Sequence, residues 1–192
     1  KMIEERKCKS SRATVGLGFP ASCMLIASMN PWPCGFYNHP DKECYCPPGA
    51  VQKYLNKISG PLLDRIDLHV EVTPVAFTEL SSDKNFEKSD SIRARVIKAR
   101  EIQEERYKNS EGVYSNAQMS SKMLKEICVI NTASQNLLKI AMEKLNLSAR
   151  AYDRILKVSR TIADLSGSEN IKAEHLAEAI QYRSLDREGW GG

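Results

Sequence analysis

Residues 145–187, LNLSARAYDRILKVSRTIADLSGSENIKAEHLAEAIQYRSLDR, decide the fold of the second half of the chain. Apolar residues recur there with the spacing of an amphipathic helix, at positions 151, 155, 158, 162 and 165. Ser148 has a side chain that caps helix N-termini, and Gly167 is typical of the residue just after a helix. The stretch therefore predicts a helix from Ser148 to about Leu165 and a final helix over residues 173–185.

Helical patterns continue upstream of this stretch. Residues 91–107 lack glycine and proline and favour a long helix, and two shorter helices are predicted over residues 119–127 and from a cap at Thr132. Because the loops between the later helices are short, neighbouring helices are expected to pack antiparallel. The predicted segments are a linker with a long helix over residues 78–115, a helical bundle over residues 116–187 and a tail over residues 188–192.

The first stretch, residues 1–77, has a different pattern. Residues 23–28, CMLIAS, are a short apolar run that ends just before Asn30 and Pro31, as is typical of a buried strand. Residues 66–72, IDLHVEV, alternate apolar and polar side chains, which predicts a strand with one buried face. The chain is therefore expected to be α+β and mainly helical.

Composition and motifs exclude several classes of protein. The 28 lysines and arginines exceed the 24 acidic residues by four, a balance too mild to indicate nucleic-acid binding alone. No run of eighteen apolar residues exists, and the stretch KMIEERKCKS is charged where a signal peptide would need an apolar core. The chain holds no GxxxxGK[ST], GxGxxG, HExxH or GxSxG motif, so no self-contained active site is visible.

Two residues of the first stretch are candidates for binding a ligand. Asn30 follows a predicted strand, where ligands of open α/β sheets bind, and an Asx turn before Pro31 is the other interpretation. Arg65 lies between a turn and a strand and has the fixed donors that suit a phosphate. A surface salt bridge with Asp64 or Asp67 is the other interpretation of Arg65.

The helix predicted from Ser148 carries a cationic stripe formed by Arg150, Arg154, Lys157 and Thr161. Arg150 falls in the first helical turn, where the helix dipole disfavours a cation unless an anion compensates. This conflict indicates a bound phosphate. A solvated basic face is the alternative interpretation.

The first stretch also contains a cluster of metal-ligand residue types. Cys34, His39, Cys44 and Cys46 supply three thiols and one imidazole, the ligand types of a Cys₃His structural zinc site. Their spacing is not the common CxxC pattern, and reduced, unligated thiols in a loop remain the alternative.

These pieces resemble a known family when they are taken together. Residues 28–49, residues 58–72 and the stretch 145–187 strongly resemble the YifB/ComM family of bacterial AAA+ ATPases, which are magnesium-chelatase-like proteins. The resemblance covers about residues 4–186 in matching order. It implies a truncated C-terminal part of an AAA+ α/β core with a Cys-rich insert over residues 1–77, followed by a helical lid domain.

The resemblance also implies roles for three residues. Asn30 matches the sensor 1 position, a polar residue that orients the attacking water. Arg65, in LLDRID, matches the arginine finger, which would stabilise transition-state charge on the nucleotide of a neighbouring subunit. Arg150, in LSARAYDR, matches sensor 2. One departure concerns zinc: Trp32 stands where the family usually has a cysteine, so three family cysteines are present here and His39 would have to complete the site.

The family's phosphate loop and Walker B acid are expected upstream of this chain, so the chain alone is expected not to hydrolyse ATP. The whole protein is expected to use ATP and Mg²⁺ and to assemble into a ring, with a hexamer as the expected form. It is also expected to act on DNA in branch migration and competence, and to be cytoplasmic. Two rival interpretations are a true chelatase subunit that inserts Mg²⁺ into a porphyrin and a non-enzymatic module stabilised by zinc or by its helices.

Overall fold

The computed structural model describes residues 7–12, 15–30, 34, 43, 45–47, 49–72, 75 and 86–183. The described residues belong to two compact units, which are separated in sequence between Arg65 and Ile66. Among these residues helices predominate, and the strands form one small sheet. The expectation of a mainly helical chain with a small β component is therefore confirmed.

The first unit contains a hairpin and two short helices. Strands β1 (Lys7–Arg12) and β2 (Val15–Pro20) pair antiparallel, and helices α1 (Ala50–Leu55) and α2 (Gly60–Leu63) follow. The hairpin was not predicted, because its strands KCKSSR and VGLGFP are polar or rich in glycine and the turn has no Asn-Gly or Asp-Gly signal.

Both strands predicted from the sequence, residues 23–28 and 66–72, are irregular segments that pair with no other strand among the described residues. Their apolar side chains are in contact with solvent: Met24 is 83% exposed and Val72 is 86% exposed. These two predictions are wrong in this structure. An apolar run or an alternating pattern supplies the face of a strand, but a strand also needs a neighbour for its backbone hydrogen bonds.

The second unit is a helical bundle. Its elements are, in chain order, α3 (Ser89–Tyr107), a 3₁₀ turn (Asn116–Gln118), α4 (Ser121–Ile127), α5 (Thr132–Lys144), α6 (Ala149–Leu165) and α7 (Ala173–Gln181). Helix α6 is central, because it packs against α7, α3, α4 and the 3₁₀ turn, and α5 packs against α7. The core is apolar and includes Leu138, Ile155, Leu156, Ile171 and Leu176.

Side-chain caps fix where three of these helices begin. Ser120, Asn131 and Ser148 each accept a hydrogen bond from the backbone N–H three residues later, at the starts of α4, α5 and α6. The predicted cap at Ser148 is confirmed, and Gly167 follows α6 with a φ of +66°. The predicted cap at Thr132 is wrong by one residue: Asn131 caps α5, because an Asn side chain is a better acceptor there than the β-branched Thr.

Candidate functional site

Helix α6 carries Arg150 in its first turn, where the side chain is exposed. The hydroxyl of Ser148 accepts the N–H of Ala151 at 3.1 Å, which fixes the helix start beside it. The partial positive charge of a helix N-terminus and the guanidinium repel one another, whereas an anion bound there would interact favourably with both.

The other side chains of the predicted cationic stripe form hydrogen bonds and an ion pair within the second unit. Arg154 forms an ion pair with Asp67, and Lys157 Nζ donates to the carbonyl of Ala117 at 3.3 Å. The hydroxyl of Thr161 accepts from the Asn116 amide at 3.0 Å. From Arg154 onward, therefore, the stripe holds elements of the unit together, and the interpretation as a solvated basic face does not describe it.

A buried ion network holds α6 against α3. The side chain of Asp164 is fully buried and accepts from Arg106 Nη1 at 2.7 Å and Arg106 Nη2 at 2.6 Å. The same carboxylate accepts from Arg160 Nε at 3.1 Å and from the Asn116 amide at 2.8 Å. These hydrogen bonds with Asp164 raise the pKa of Arg106. Because two guanidiniums donate to the Asp164 carboxylate, the buried negative charge of Asp164 is compensated.

Neighbouring groups extend this network. Arg160 also donates to the carbonyls of Ser168 at 2.6 Å and Glu169 at 2.7 Å, which ties the chain after α6 to the helix. Burial raises the pKa of the Tyr107 phenol, and its hydroxyl donates to Asn116 Oδ1 at 2.7 Å. The sequence analysis missed this network. The available signal was the pair Arg160 and Asp164, four residues apart between apolar positions of an otherwise amphipathic helix.

Residues 66–69, which we call the strap, lie against helices of the second unit. The Asp67 carboxylate pairs with Arg154 of α6, and Arg183 Nη1 donates to the carbonyl of Ile66. The backbone N–H of His69 donates to the carbonyl of Tyr182 at 2.8 Å, and His69 is buried. The strap therefore connects α6 with the end of α7.

Arg65 and Asn30 both belong to the first unit. Arg65 is partly buried just after α2, and its Nη1 donates to the carbonyl of Pro61 at 2.6 Å, four residues earlier. Asn30 is exposed, and its backbone carbonyl accepts from the Tyr54 hydroxyl at 2.8 Å. Arg65 thus makes a hydrogen bond with a neutral carbonyl, a contact that a phosphate oxygen could replace with a stronger, charge-assisted one.

The predicted zinc residues are described only in part. Cys34 and Cys46 are half-buried, whereas His39 and Cys44 lie outside the described residues. Within the described ranges no group of three or more potential metal ligands comes together. The zinc site stays a prediction.

None of the helices in the described part of the chain has the length and apolar character that crossing a bilayer requires. Even α3, the longest, is rich in charged residues along its length.

Comparison with protein families gives two matches that together span most of the chain. Residues 1–80 match the family described as magnesium chelatase, subunit ChlI. Residues 86–183 match the family described as magnesium chelatase, subunit ChlI C-terminal. The second match covers the helical bundle from just before α3 to the end of the described residues.

Curated relatives give a consistent result. The chain is 44% identical over 187 residues to competence protein ComM of Haemophilus influenzae. It is 37% identical to the uncharacterized protein YifB of Salmonella typhimurium and 36% identical to YifB of Escherichia coli, again over 187 residues. In each case the alignment covers 96% of this chain and 35% of the relative, so the chain spans about a third of the length of these relatives.

Proposed function

Because the chain belongs to the family described as magnesium chelatase, subunit ChlI C-terminal, we propose that it is the C-terminal part of an AAA+ ATPase of the YifB/ComM type. The whole protein hydrolyses ATP with Mg²⁺ and works as a ring, with a hexamer as the expected form. Mg²⁺ neutralises charge on the phosphates when it is bound. The observation that carries the proposal is Arg150, exposed in the first turn of α6 beside a capped helix start.

In this proposal Arg150 is sensor 2 and contacts the phosphates of the bound nucleotide. The buried network of Arg106, Arg160 and Asp164 supports this role, because it keeps α6 in one position against α3. A guanidinium on a fixed helix loses little freedom when it binds a phosphate, whereas one on a loop would lose more.

Arg65 is the arginine finger in this proposal and Asn30 is sensor 1. The Arg65 guanidinium would leave the Pro61 carbonyl and bind the γ-phosphate held by a neighbouring subunit, where it stabilises charge that develops in the transition state. The Asn30 amide would orient the attacking water. The exposure of the Asn30 side chain leaves it accessible for that hydrogen bond.

The test uses the full-length protein and the variants Arg65→Ala and Arg150→Ala. We expect Arg65→Ala to lower kcat by roughly 10³-fold or more, as for other arginine fingers, with nucleotide affinity unchanged. Arg150→Ala should weaken nucleotide binding as well as hydrolysis. Arg95→Ala is the matched control, since it removes an arginine whose partner is the exposed Glu87 of the same unit. Full hydrolysis by Arg65→Ala would refute the finger assignment.

A second experiment uses the 192-residue chain itself, which has no GxxxxGK[ST] loop to cradle the β- and γ-phosphates. We expect no ATP hydrolysis above background, and measurable turnover would contradict the proposal. Zinc analysis of this chain, with Cys44→Ser as the comparison, tests the predicted site of Cys34, His39, Cys44 and Cys46.

The remodelled target is proposed to be DNA, in a cytoplasmic protein. The support is the similarity to competence protein ComM, whose name refers to competence. The test is ATP-dependent migration of a DNA junction by the full-length protein. The second candidate, Mg²⁺ insertion into a porphyrin, is favoured by the description of the matched family. Insertion activity without any effect on DNA would select it.

A further inference from the structure

We propose that Tyr54 is a positioning residue for Asn30: its hydroxyl holds the backbone carbonyl of Asn30 and thereby fixes the place from which the Asn30 side chain extends. This inference rests on the proposed role of Asn30 as sensor 1. It adds to that site a residue of helix α1 to which the family resemblance gives no role. Both residues belong to the first unit, so the contact lies within one compact unit.

The hydrogen bond between the two residues is the first observation. The Tyr54 hydroxyl donates to the Asn30 carbonyl oxygen at 2.8 Å, across 24 residues of sequence. This distance is the usual one for a hydroxyl donor. Residues 21–30 form neither helix nor strand, so regular secondary structure does not fix the position of Asn30. The contact with Tyr54 is therefore a tertiary restraint on an otherwise irregular segment.

The place of Asn30 before a proline makes its carbonyl a suitable point of attachment. Steric contact with a proline ring restricts the preceding residue to extended backbone conformations. Pro31 has no N–H, so the carbonyl is the only group of the Asn30–Pro31 peptide that can form a conventional hydrogen bond. When this carbonyl is held, the direction of the Asn30 Cα–Cβ bond is restricted, while the exposed side chain stays accessible to water.

The Tyr54 ring is itself held in place. Tyr54 is half-buried in helix α1. Lys57 Nζ lies 5.6 Å from the centroid of the Tyr54 ring, and the Lys57 N–H donates to the Tyr54 carbonyl at 3.2 Å. The first distance is within the range of a cation–π contact. The ring is thus restrained at its face and at its backbone, and its hydroxyl is directed at one acceptor.

The consequence concerns the catalytic step. A side chain that orients an attacking water has to be placed accurately, since a misplacement of about 1 Å can lower a rate by roughly 100-fold. In its proposed role Asn30 contacts this water, so loss of the Tyr54 hydroxyl should impair hydrolysis without weakening the binding of ATP. A residue that only stabilised the fold would have no such selective effect.

The functional test compares Tyr54→Phe, Asn30→Ala and the double variant in the full-length protein. Tyr54→Phe removes only the hydroxyl, and a neutral hydrogen bond is worth roughly a factor of 2 to 10. We expect kcat to fall by that factor with KM for ATP unchanged. Because Tyr54 acts through Asn30, the double variant should be no slower than Asn30→Ala. Tyr45→Phe is the matched control and should leave kcat unchanged, since Tyr45 is 82% exposed in the same unit.

The hydrogen bond can be observed directly in the 192-residue chain. Asn30–Pro31 is the only Asn-Pro pair in the sequence, so ¹³C-carbonyl asparagine combined with ¹⁵N-proline gives a single coupled carbonyl signal. Because a hydrogen bond deshields the carbonyl carbon, this signal should move upfield in Tyr54→Phe and stay in place in Tyr45→Phe. An unchanged signal in Tyr54→Phe overturns the proposal.

The kinetic outcomes are equally decisive. A kcat of Tyr54→Phe equal to that of the wild type overturns the proposal, and so does a loss of kcat/KM that comes from KM alone. A double variant slower than Asn30→Ala also overturns it, because Tyr54 then acts independently of Asn30. Full hydrolysis by Asn30→Ala refutes instead the assignment of sensor 1, on which the role of Tyr54 rests.

Discussion

Substitution of Asp164 by Asn tests whether the buried ion network holds the helical unit together. One carboxylate oxygen accepts from Arg106 Nη2 and Arg160 Nε, and the other accepts from Arg106 Nη1 and the Asn116 amide. An Asn side chain keeps the shape but replaces one oxygen by NH₂. In either orientation the new NH₂ group faces two donors, and the negative charge is lost.

The magnitude follows from the burial of the partners. Removing one member of a buried ion pair typically costs about 3–5 kcal/mol, because an uncompensated charge stays behind. The Arg160 side chain is 4% exposed and cannot reach water, whereas Arg106 is 20% exposed and is partly hydrated. We therefore expect a loss near the lower value, about 3 kcal/mol. At about 4 °C per kcal/mol for a domain of this size, the melting temperature should fall by roughly 12 °C.

The assay is urea unfolding of the chain followed by circular dichroism at the helix band. The control is Asp153→Asn, which removes a carboxylate from a partly exposed position of the same helix and should change the free energy of unfolding by less than about 0.5 kcal/mol. The m-value must stay constant for the comparison to hold. A loss below about 1 kcal/mol for Asp164→Asn, or one equal to that of the control, would show that the network is not a main source of stability.

Three further predictions concern other features of the second unit. Burial raises the pKa of the Cys128 thiol from 9.0 to about 11, so its folded-state proton affinity exceeds the unfolded one. The contribution of this thiol to the free energy of unfolding is therefore fully present below pH 9.0 and is lost as the pH rises towards 11. In Cys128→Ala the urea midpoint should accordingly vary less with pH over that range. Ser148→Ala should destabilise the unit by about 1 kcal/mol in the same assay through loss of the α6 cap, and an unchanged midpoint would contradict the assigned cap. Gly167→Ala should cost about 1 kcal/mol because of the φ of +66°, whereas Gly60→Ala, with equally open space and no positive φ, should be neutral.

Local patterns predicted the helices well. The signals for helix α6 all lie within residues 148–167, so they are contiguous in sequence. They are the cap at Ser148, the stop at Gly167 and the apolar stripe with Ala151 and Ile155. The strands could not be predicted in the same way, because pairing depends on a neighbour that the pattern of one segment does not specify. Most apolar residues of both predicted strands, such as Met24, Ile26 and Val72, are exposed in this structure.

The candidate site, too, could be predicted from the sequence only in part. Arg150 could be recognised from its place in the first helical turn, where a cation conflicts with the helix dipole. The partners of Asp164 and Arg154 could not, because Arg106 and Asp67 lie 58 and 87 residues away in the sequence. Only the packing of the bundle brings these charges together. A charged residue beside an apolar stripe indicates that some partner exists, but it does not indicate which one.

The topology of the second unit also determines the order in which it folds. Helix α6 packs against the next helix, α7, whereas α4 packs against α6 and α5 against α7, each across one intervening helix. Helical bundles rich in contacts of short sequence separation fold within microseconds to milliseconds. The strap instead closes a loop whose ends, Ile66 and Arg183, are 117 residues apart, and it gains few interactions in return. Because the entropy of loop closure must be offset before those interactions form, the strap should dock last. Refolding should therefore show a rapid helical phase followed by a slower, smaller phase in which the strap joins an already folded bundle.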